Sequence, residues 1–308
     1  MDVLGSVLNG PRAKDAFLLR LVMASPWSLR IEDEAPLTVV VTVSGTNTIR
    51  FDDGEEVTVR PGDVAVVRGP DPYYVGDDCA PTAIIDRNQL CTSLDGVSLV
   101  DEMCLGVRSW GNSKDGESVS LVGTYGVAGE VSARLLAALP RLITLQNNNN
   151  PLISLLSAEI DRDAPGQDVM LDRLLDLVLI DTLRNWFSRP DSDGPKWIAA
   201  ESDPLVGRAL SLIHHNPEQA WTVAGLASQC AVSRAALARR FTDLVGEPPM
   251  AYLTNWRLSM AADLLAGADV TLESVARQVG YSSAFALSAA FKRVHGISPR
   301  DYRRSLAG

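Results

Sequence analysis

The chain has 308 residues, 46% of them hydrophobic and 21% charged, which suits two ordinary soluble domains with sizeable cores. No run approaches the roughly 18 uncharged apolar residues of a membrane span, since the most apolar stretch, 174–183, is broken by Asp176 and Asp181. Met1-Asp2-Val3 places an acid where a secretory signal places a basic cluster, so no membrane partner and a cytoplasmic location are expected.

The net charge of −10 at first argues against nucleic acid as a partner, but it is unevenly spread. Residues 1–196 hold 17 Lys and Arg against 29 Asp and Glu, a net charge of −12. Residues 197–308 hold 11 against 9, a net charge of +2. A mildly basic piece attached to an acidic body is compatible with nucleic-acid binding, because local charge governs that affinity. Cys79, Cys91, Cys104 and Cys230 show no CxxC spacing and no nearby histidine that could complete a zinc site. Such scattered thiols are ordinarily buried or inert; redox sensing through Cys79, Cys91 or Cys104 is the alternative.

Residues 1–128 are predicted to be strand-rich. Leu37-Thr38-Val39-Val40-Val41-Thr42-Val43 is a β-branched run ended by Ser44-Gly45. Phe51-Asp52-Asp53-Gly54 turns, Glu56-Val57-Thr58-Val59 alternates, and Arg60-Pro61-Gly62-Asp63 turns again into Val64-Ala65-Val66-Val67. Short strands with turns about every ten residues predict a sandwich or barrel.

From residue 129 the pattern becomes helical, with segments predicted over 131–145, 151–161 and 168–187. The run Asn147-Asn148-Asn149-Asn150-Pro151 marks a loop between the first two. The 168–187 segment is apolar over most of its circumference. It is expected either to be wholly internal to one domain or to turn a second face to another copy of the chain. Residues 129–188 are therefore a helical, candidate dimerisation segment. The polar stretch from Ser188 to Pro195 marks the domain boundary, with a linker over 189–202.

Residues 203–308 are helical by pattern and repeat themselves at an offset near 50. Ser233 matches Ser283, Leu237 matches Leu287, Phe241 matches Phe291, and Gly246 matches Gly296. Upstream the offset falls to 49, Ala231 matching Gly280. Each unit, about 222–245 and 271–295, predicts helix, short turn, helix. Thr222 and Thr271 cap the first helices, and Ser233 with Ser282 or Ser283 caps the second ones.

At about 100° per residue, Leu237, Phe241, Leu244 and Val245 share an inward face. Ala235, Arg239, Thr242 and Asp243 lie opposite. In the second unit Leu287, Phe291 and Val294 are predicted inside, with Phe285, Ala289, Lys292 and Arg293 outside and Ser288 at the margin. A face of small residues plus arginine suits a helix lying in the major groove. The candidate DNA-contacting residues are Ser233, Arg234, Ala235, Ala238, Arg239, Arg240 and Thr242 in the first unit. In the second they are Ser282, Ser283, Phe285, Ser288, Ala289, Lys292 and Arg293. Arg239 is the expected base reader, whereas Arg239-Arg240 as an ordinary solvated pair is the plainer alternative.

These residues resemble the AraC/XylS family of transcription regulators. The resemblance rests on Ala227-Ser228-Gln229-Cys230-Ala231-Val232-Ser233 with Leu237 and Phe241, and on Ser274-Val275-Ala276-Arg277-Gln278-Val279-Gly280-Tyr281. It also rests on the segment from Phe291 through Pro299 to Tyr302-Arg303, and on the linking stretch containing Trp256-Arg257-Leu258. The family implies two helix-turn-helix modules entering successive major-groove segments of a promoter operator. Ala231 departs from it, standing where the family usually has glycine, and a modest cost is expected.

The amino-terminal part resembles the cupin-type sensing domain of one branch of that family, through its Pro61-Gly62-Asp63 turn and the strands around it. Many cupins hold a metal on barrel histidines, but His214, His215 and His295 all lie in the other half. No metal, cofactor or enzymatic activity is expected, although an all-carboxylate site stays open. The fold implied is an α+β multidomain protein: a cupin-like β-barrel with its helical dimerisation segment, then an all-α double helix-turn-helix domain. The expected partners are double-stranded DNA, a small-molecule effector, a second copy of the chain and, for an activator, RNA polymerase. Trp27, Tyr73, Tyr74 and Trp110 are candidate walls of the effector site. Control by thiol oxidation or by a protein partner remains the alternative.

Overall fold

The computed structural model describes residues 17–77, 80–125, 136, 139–146, 150–189, 196–266 and 270–305. They divide into two compact units, one holding residues 17–125 and 139–189, the other residues 196–305.

In chain order the strands of the first unit are β1 (Phe17–Met23), β2 (Ser28–Ile31), β3 (Leu37–Ser44), β4 (Asn47–Phe51) and β5 (Glu56–Val59). There follow β6 (Asp63–Arg68), β7 (Tyr73–Gly76), β8 (Ala83–Ile85) and β9 (Cys91–Ser93). The last are β10 (Cys104–Gly106), β11 (Ser109–Trp110), β12 (Ser118–Tyr125) and β13 (Leu142–Gln146). They form a seven-stranded sheet, β10-β11-β1-β12-β3-β6-β13, and a six-stranded sheet, β5-β4-β7-β2-β8-β9. The long central strand β12 runs antiparallel to both neighbours, pairing Phe17 with Thr124 on β1 and Tyr125 with Leu37 on β3.

The β-branched run of β3 is buried on both faces, because its sheet is covered on both sides. Side chains alternate along a strand, so Val40 faces the interior between the sheets. On β12 the same alternation turns Val122 inward and bare Gly123 outward. Two helices follow, α1 (Pro151–Ile160) and α2 (Gln167–Phe187). Asn150 caps α1 by accepting from the Leu152 N–H at 2.9 Å, with Pro151 at the first helical position. Gly123 admits α2 against the sheet: a Cβ there would lie 2.5 Å from the Leu175 methyls. The Tyr125 hydroxyl donates to Asp176 Oδ1 at 3.4 Å, and burial with that neighbouring carboxylate raises the phenol pKa.

Two expectations fail here. The helix expected over 131–145 is a strand in its later part, β13, added to β6 with Ile143 and Leu145 buried. Pro140 offers no N–H and clashes with the preceding turn of a helix, while Leu142-Ile143-Thr144-Leu145 alternates as a strand does. Residues 131–135 and 137–138 lie outside the described residues. The expected linker over 189–202 contains a helix, α3 (Lys196–Glu201), seated by buried Trp197 and Ala200; residues 190–195 lie outside the described residues.

The second unit continues with α4 (Pro204–His215), α5 (Val223–Gln229) and α6 (Arg234–Val245). After these come α7 (Pro249–Ala266), α8 (Leu272–Gln278), α9 (Ala284–His295) and α10 (Pro299–Ser305). The repeat in the sequence is a repeat in structure. Thr222 and Thr271 cap α5 and α8, accepting from Gly225 and Ser274 N–H groups at 3.0 and 3.2 Å. Ser233 and Ser283 cap α6 and α9 at 3.2 Å each. Gly246 and Gly296 end them at φ 92° and 76°, left-handed positions that favour glycine. Between α5 and α6 the turn passes through Ala231 at φ 56°, and between α8 and α9 through Gly280 at φ 79°.

The long α7 joins the pairs, burying Leu253, Trp256, Leu258, Ala261 and Leu265. His214 fixes α4 to it, stacking 4.1 Å from Trp256 and sharing a 2.8 Å hydrogen bond with the Tyr252 hydroxyl. No described helix is long and apolar enough to cross a membrane.

Candidate nucleic-acid interface and ligand cavity

Helix α6 buries Leu237, Phe241 and Val245 and leaves Arg234, Ala235 and Arg239 exposed, with Ala238, Thr242 and Leu244 half-buried. Ser233, besides being exposed, is committed as the cap. The Arg240 guanidinium turns away from that outward group, donating to Asp203 Oδ2 from Nε at 3.1 Å and from Nη2 at 2.7 Å. Asp203 also caps α4, its Oδ1 accepting from the Leu205 and Val206 N–H groups. Those backbone donors and the guanidinium hold its carboxyl below the usual carboxylate range. Asp203 was absent from the sequence reading, although Asp before Pro at a helix start is a recognisable signal.

Helix α9 presents the corresponding face. Phe285 is 84% exposed, a high value for so large an apolar ring, and Ala289, Lys292 and Arg293 are exposed beside it. Ser282 is exposed, Ser288 is half-buried at the margin, and half-buried Ser283 is the cap. Leu287 and Phe291 are buried as expected, but Val294 is exposed and Ala290 is buried instead. At the last turn the seat against the core is taken by His295, whose ring centroid lies 4.3 Å from that of Phe291.

Arg257 of α7, matched in the sequence only as part of a family motif, has a structural post. Its Nε donates to the Pro217 carbonyl at 2.6 Å and its Nη2 to the Gln219 carbonyl at 2.7 Å, tying the loop before α5 to α7. Burial lowers its guanidinium pKa, with Tyr281 and Glu218 opposing.

In the strand-rich unit a cavity of about 230 Å³ lies between the two sheets. Tyr73 and Trp110 line it; Trp27 and Tyr74 do not. Adjacent residues on a strand point to opposite faces, so Tyr73 and Tyr74 of β7 cannot both look inward. Tyr74 accepts from Arg30 and lies between the guanidiniums of Arg30 and Arg50, 4.9 and 5.1 Å from its ring centroid. Trp27 is 1% exposed and belongs to the packed core, away from the cavity wall.

Sequence reasoning missed the polar members of the lining, Asp33, Thr38, Gln89, Ser120 and Thr124. The Gln89 amide donates to Asp33 Oδ2 at 3.0 Å. Cys91 also lines the cavity, and burial pushes its thiol up to about 11. Cys104 is exposed, and Cys79 lies outside the described residues. Among the described residues no three His, Cys, Asp or Glu side chains are grouped to hold a metal ion.

Comparison with known proteins adds the following. The cupin family model matches residues 2–188, and a helix-turn-helix domain model matches residues 226–305. The HTH-type transcriptional regulator AlkR of Acinetobacter baylyi is 29% identical over 312 residues, 99% of each chain. A putative AraC-like transcription regulator of Streptomyces lividans is 29% identical over 313 residues, covering 99% of this chain and 98% of that one. Among solved structures, the DNA-binding domain of AdpA in complex with a target DNA is 33% identical, with a TM-score of 0.32. That match covers 34% of this chain and 93% of the AdpA domain.

Proposed function

Because the chain belongs to the cupin family in its amino-terminal part and to the AraC-type DNA-binding transcription regulators as a whole, we propose that α5–α6 and α8–α9 are two helix-turn-helix modules reading one operator. The observation carrying this is the pair of outward faces, Ala235 and Arg239 on α6 and Phe285, Ala289 and Lys292 on α9, set on equally capped helices. In this reading Arg239 bonds guanine O6 and N7. Phe285 and Ala289 pack on thymine methyls, and Lys292 and Arg293 neutralise phosphates. Arg234, Ala235, Ala238, Thr242, Ser282 and Ser288 border the two contacts, and the capping N-termini of Ser233 and Ser283 face phosphate. Arg240 acts indirectly, by holding α6 on Asp203.

The cavity between the sheets is the effector site, with Tyr73 and Trp110 in its wall. A second copy of the chain docks on α2, where Val169, Met170 and Leu177 are exposed beside exposed Leu155 of α1. A promoter-bound dimer that activates would also touch RNA polymerase. No catalytic step is assigned to any residue. Control by thiol oxidation is the weaker reading, since a Cys91 thiol with a pKa near 11 is poorly ionised at neutral pH.

Selection of binding sites from a random duplex pool by the full-length protein tests the proposal. Enrichment of one motif with contacts in two successive major-groove segments is expected. Enrichment of none, or of a motif contacted by α6 alone, would overturn the two-module reading.

A further inference from the structure

The lining of the cavity between the sheets carries information about what enters it, and the inference rests on the reading of that cavity as the effector site. Its wall is mostly apolar, with Leu21, Leu29, Val40, Val75 and Val122 among the residues that line it. Asp33 is the only carboxylate among the lining residues, and no Lys, Arg or His is among them. An anionic ligand would therefore give up its water without gaining a cation, and would meet a like charge as well.

Asp33 is placed to recognise a donor. Oδ1 accepts from the Ala35 N–H at 3.1 Å and Oδ2 from Gln89 Nε2 at 3.0 Å. Each carboxylate oxygen has room for a further bond. The mouth is apolar too: Leu90 and Val100 line the cavity while remaining 48% and 38% exposed. An apolar cavity of about 150 Å³ already accepts benzene, and this one measures about 230 Å³.

We infer that the cavity takes an uncharged molecule of about ten heavy atoms, apolar over most of its surface, that presents a hydroxyl-type donor to Asp33, and that it rejects carboxylates. The class is thus a small alkyl or aryl alcohol or phenol, not a sugar acid, a fatty acid or a phosphate ester.

Calorimetric titration of the full-length protein with 4-butylphenol, butylbenzene and 4-butylbenzoate at neutral pH tests this. The phenol is expected to bind at least tenfold more tightly than the benzoate, with butylbenzene between them. Asp33→Asn should bring phenol and benzoate within about threefold of each other while leaving butylbenzene unchanged. Val122→Phe, which fills the cavity, should weaken all three at least tenfold with an unaltered circular dichroism spectrum. Benzoate binding as tightly as the phenol, or no saturable binding of any of the three, overturns the inference. Operator affinity measured with and without each compound separates this from the effector reading. If the phenol binds and operator affinity does not move, the ligand class stands and effector control falls. If only the benzoate binds and does move it, control stands and the class falls.

Discussion

Asp203 holds two helices at once: its Oδ1 caps α4 through the Leu205 and Val206 N–H groups, and its Oδ2 receives the Arg240 guanidinium of α6. A carboxylate that fixes the start of one helix thereby fixes the rotation of the helix whose preceding residue, Arg239, points outward.

Removing this junction should cost unequally at its two ends. Arg240→Ala loses an ion pair whose guanidinium is largely exposed, about 0.5–1 kcal/mol, whereas Asp203→Ala also loses a cap, about 1–2 kcal/mol in all. Urea denaturation measures both. The Asp203 carboxyl titrates below its unfolded value of about 3.9. Its contribution is thus complete above about pH 4 and is lost as the pH falls through the folded value. The gap in stability between the native protein and Asp203→Ala should narrow below about pH 4, and a gap that widens there would contradict the assignment.

Both turns should favour glycine, so inverse exchanges at them should act in opposite senses. Ala231 sits at φ 56°, where a Cβ costs about 1 kcal/mol, so Ala231→Gly should raise the melting temperature. Gly280→Ala should lower it by more, because its Cβ would lie 2.7 Å from the Glu218 backbone and from Arg257 Nη2. Scanning calorimetry of both variants decides this.

Arg239 and Lys292 should be separable by salt and sequence. Arg239→Ala should cost about 1–3 kcal/mol on the operator and little on random duplex. Lys292→Ala should weaken both alike and reduce the slope of log affinity against log salt by about 1. Fluorescence anisotropy titrations at several salt concentrations distinguish the two outcomes.

Phe285 touches little of its own chain, so Phe285→Ala should change stability by less than about 0.5 kcal/mol. Operator affinity should nevertheless fall. Replacing the contacted thymine by uracil, which lacks the methyl group, should remove most of the difference between variant and native protein. A full difference on uracil DNA would place Phe285 against something other than that methyl.

The parts readable from the sequence were those set within a few residues. Thr222, Ser233, Thr271 and Ser283 cap where their spacing places them, and the inward stripe of α6 follows the helical period. Val294 followed the same period and was misplaced, since His295 takes the inner seat of a helix end. Asp203 and Arg240 stand 37 residues apart, and no local pattern joins them. The later part of 131–145 carried enough leucine for a helix and enough alternation for a strand. Pro140 is the signal that decides for the strand. Alternation along β7 could have separated Tyr73 from Tyr74; the remaining walls of the cavity depend on which strands face each other, which composition does not encode.

Val122 and Gly123 are neighbours on β12, the first in the cavity wall and the second bare beneath Leu175 of α2. The partition between cavity and helix is therefore one peptide thick at that point, with no side chain on the helix side to flex and absorb a load. Close-packed interiors transmit displacement, so a molecule seated against Val122 would press on α2 through β12 alone, as on a diaphragm. Occupancy on one side of a single strand would then be felt in the helix that carries Met170 and Leu177.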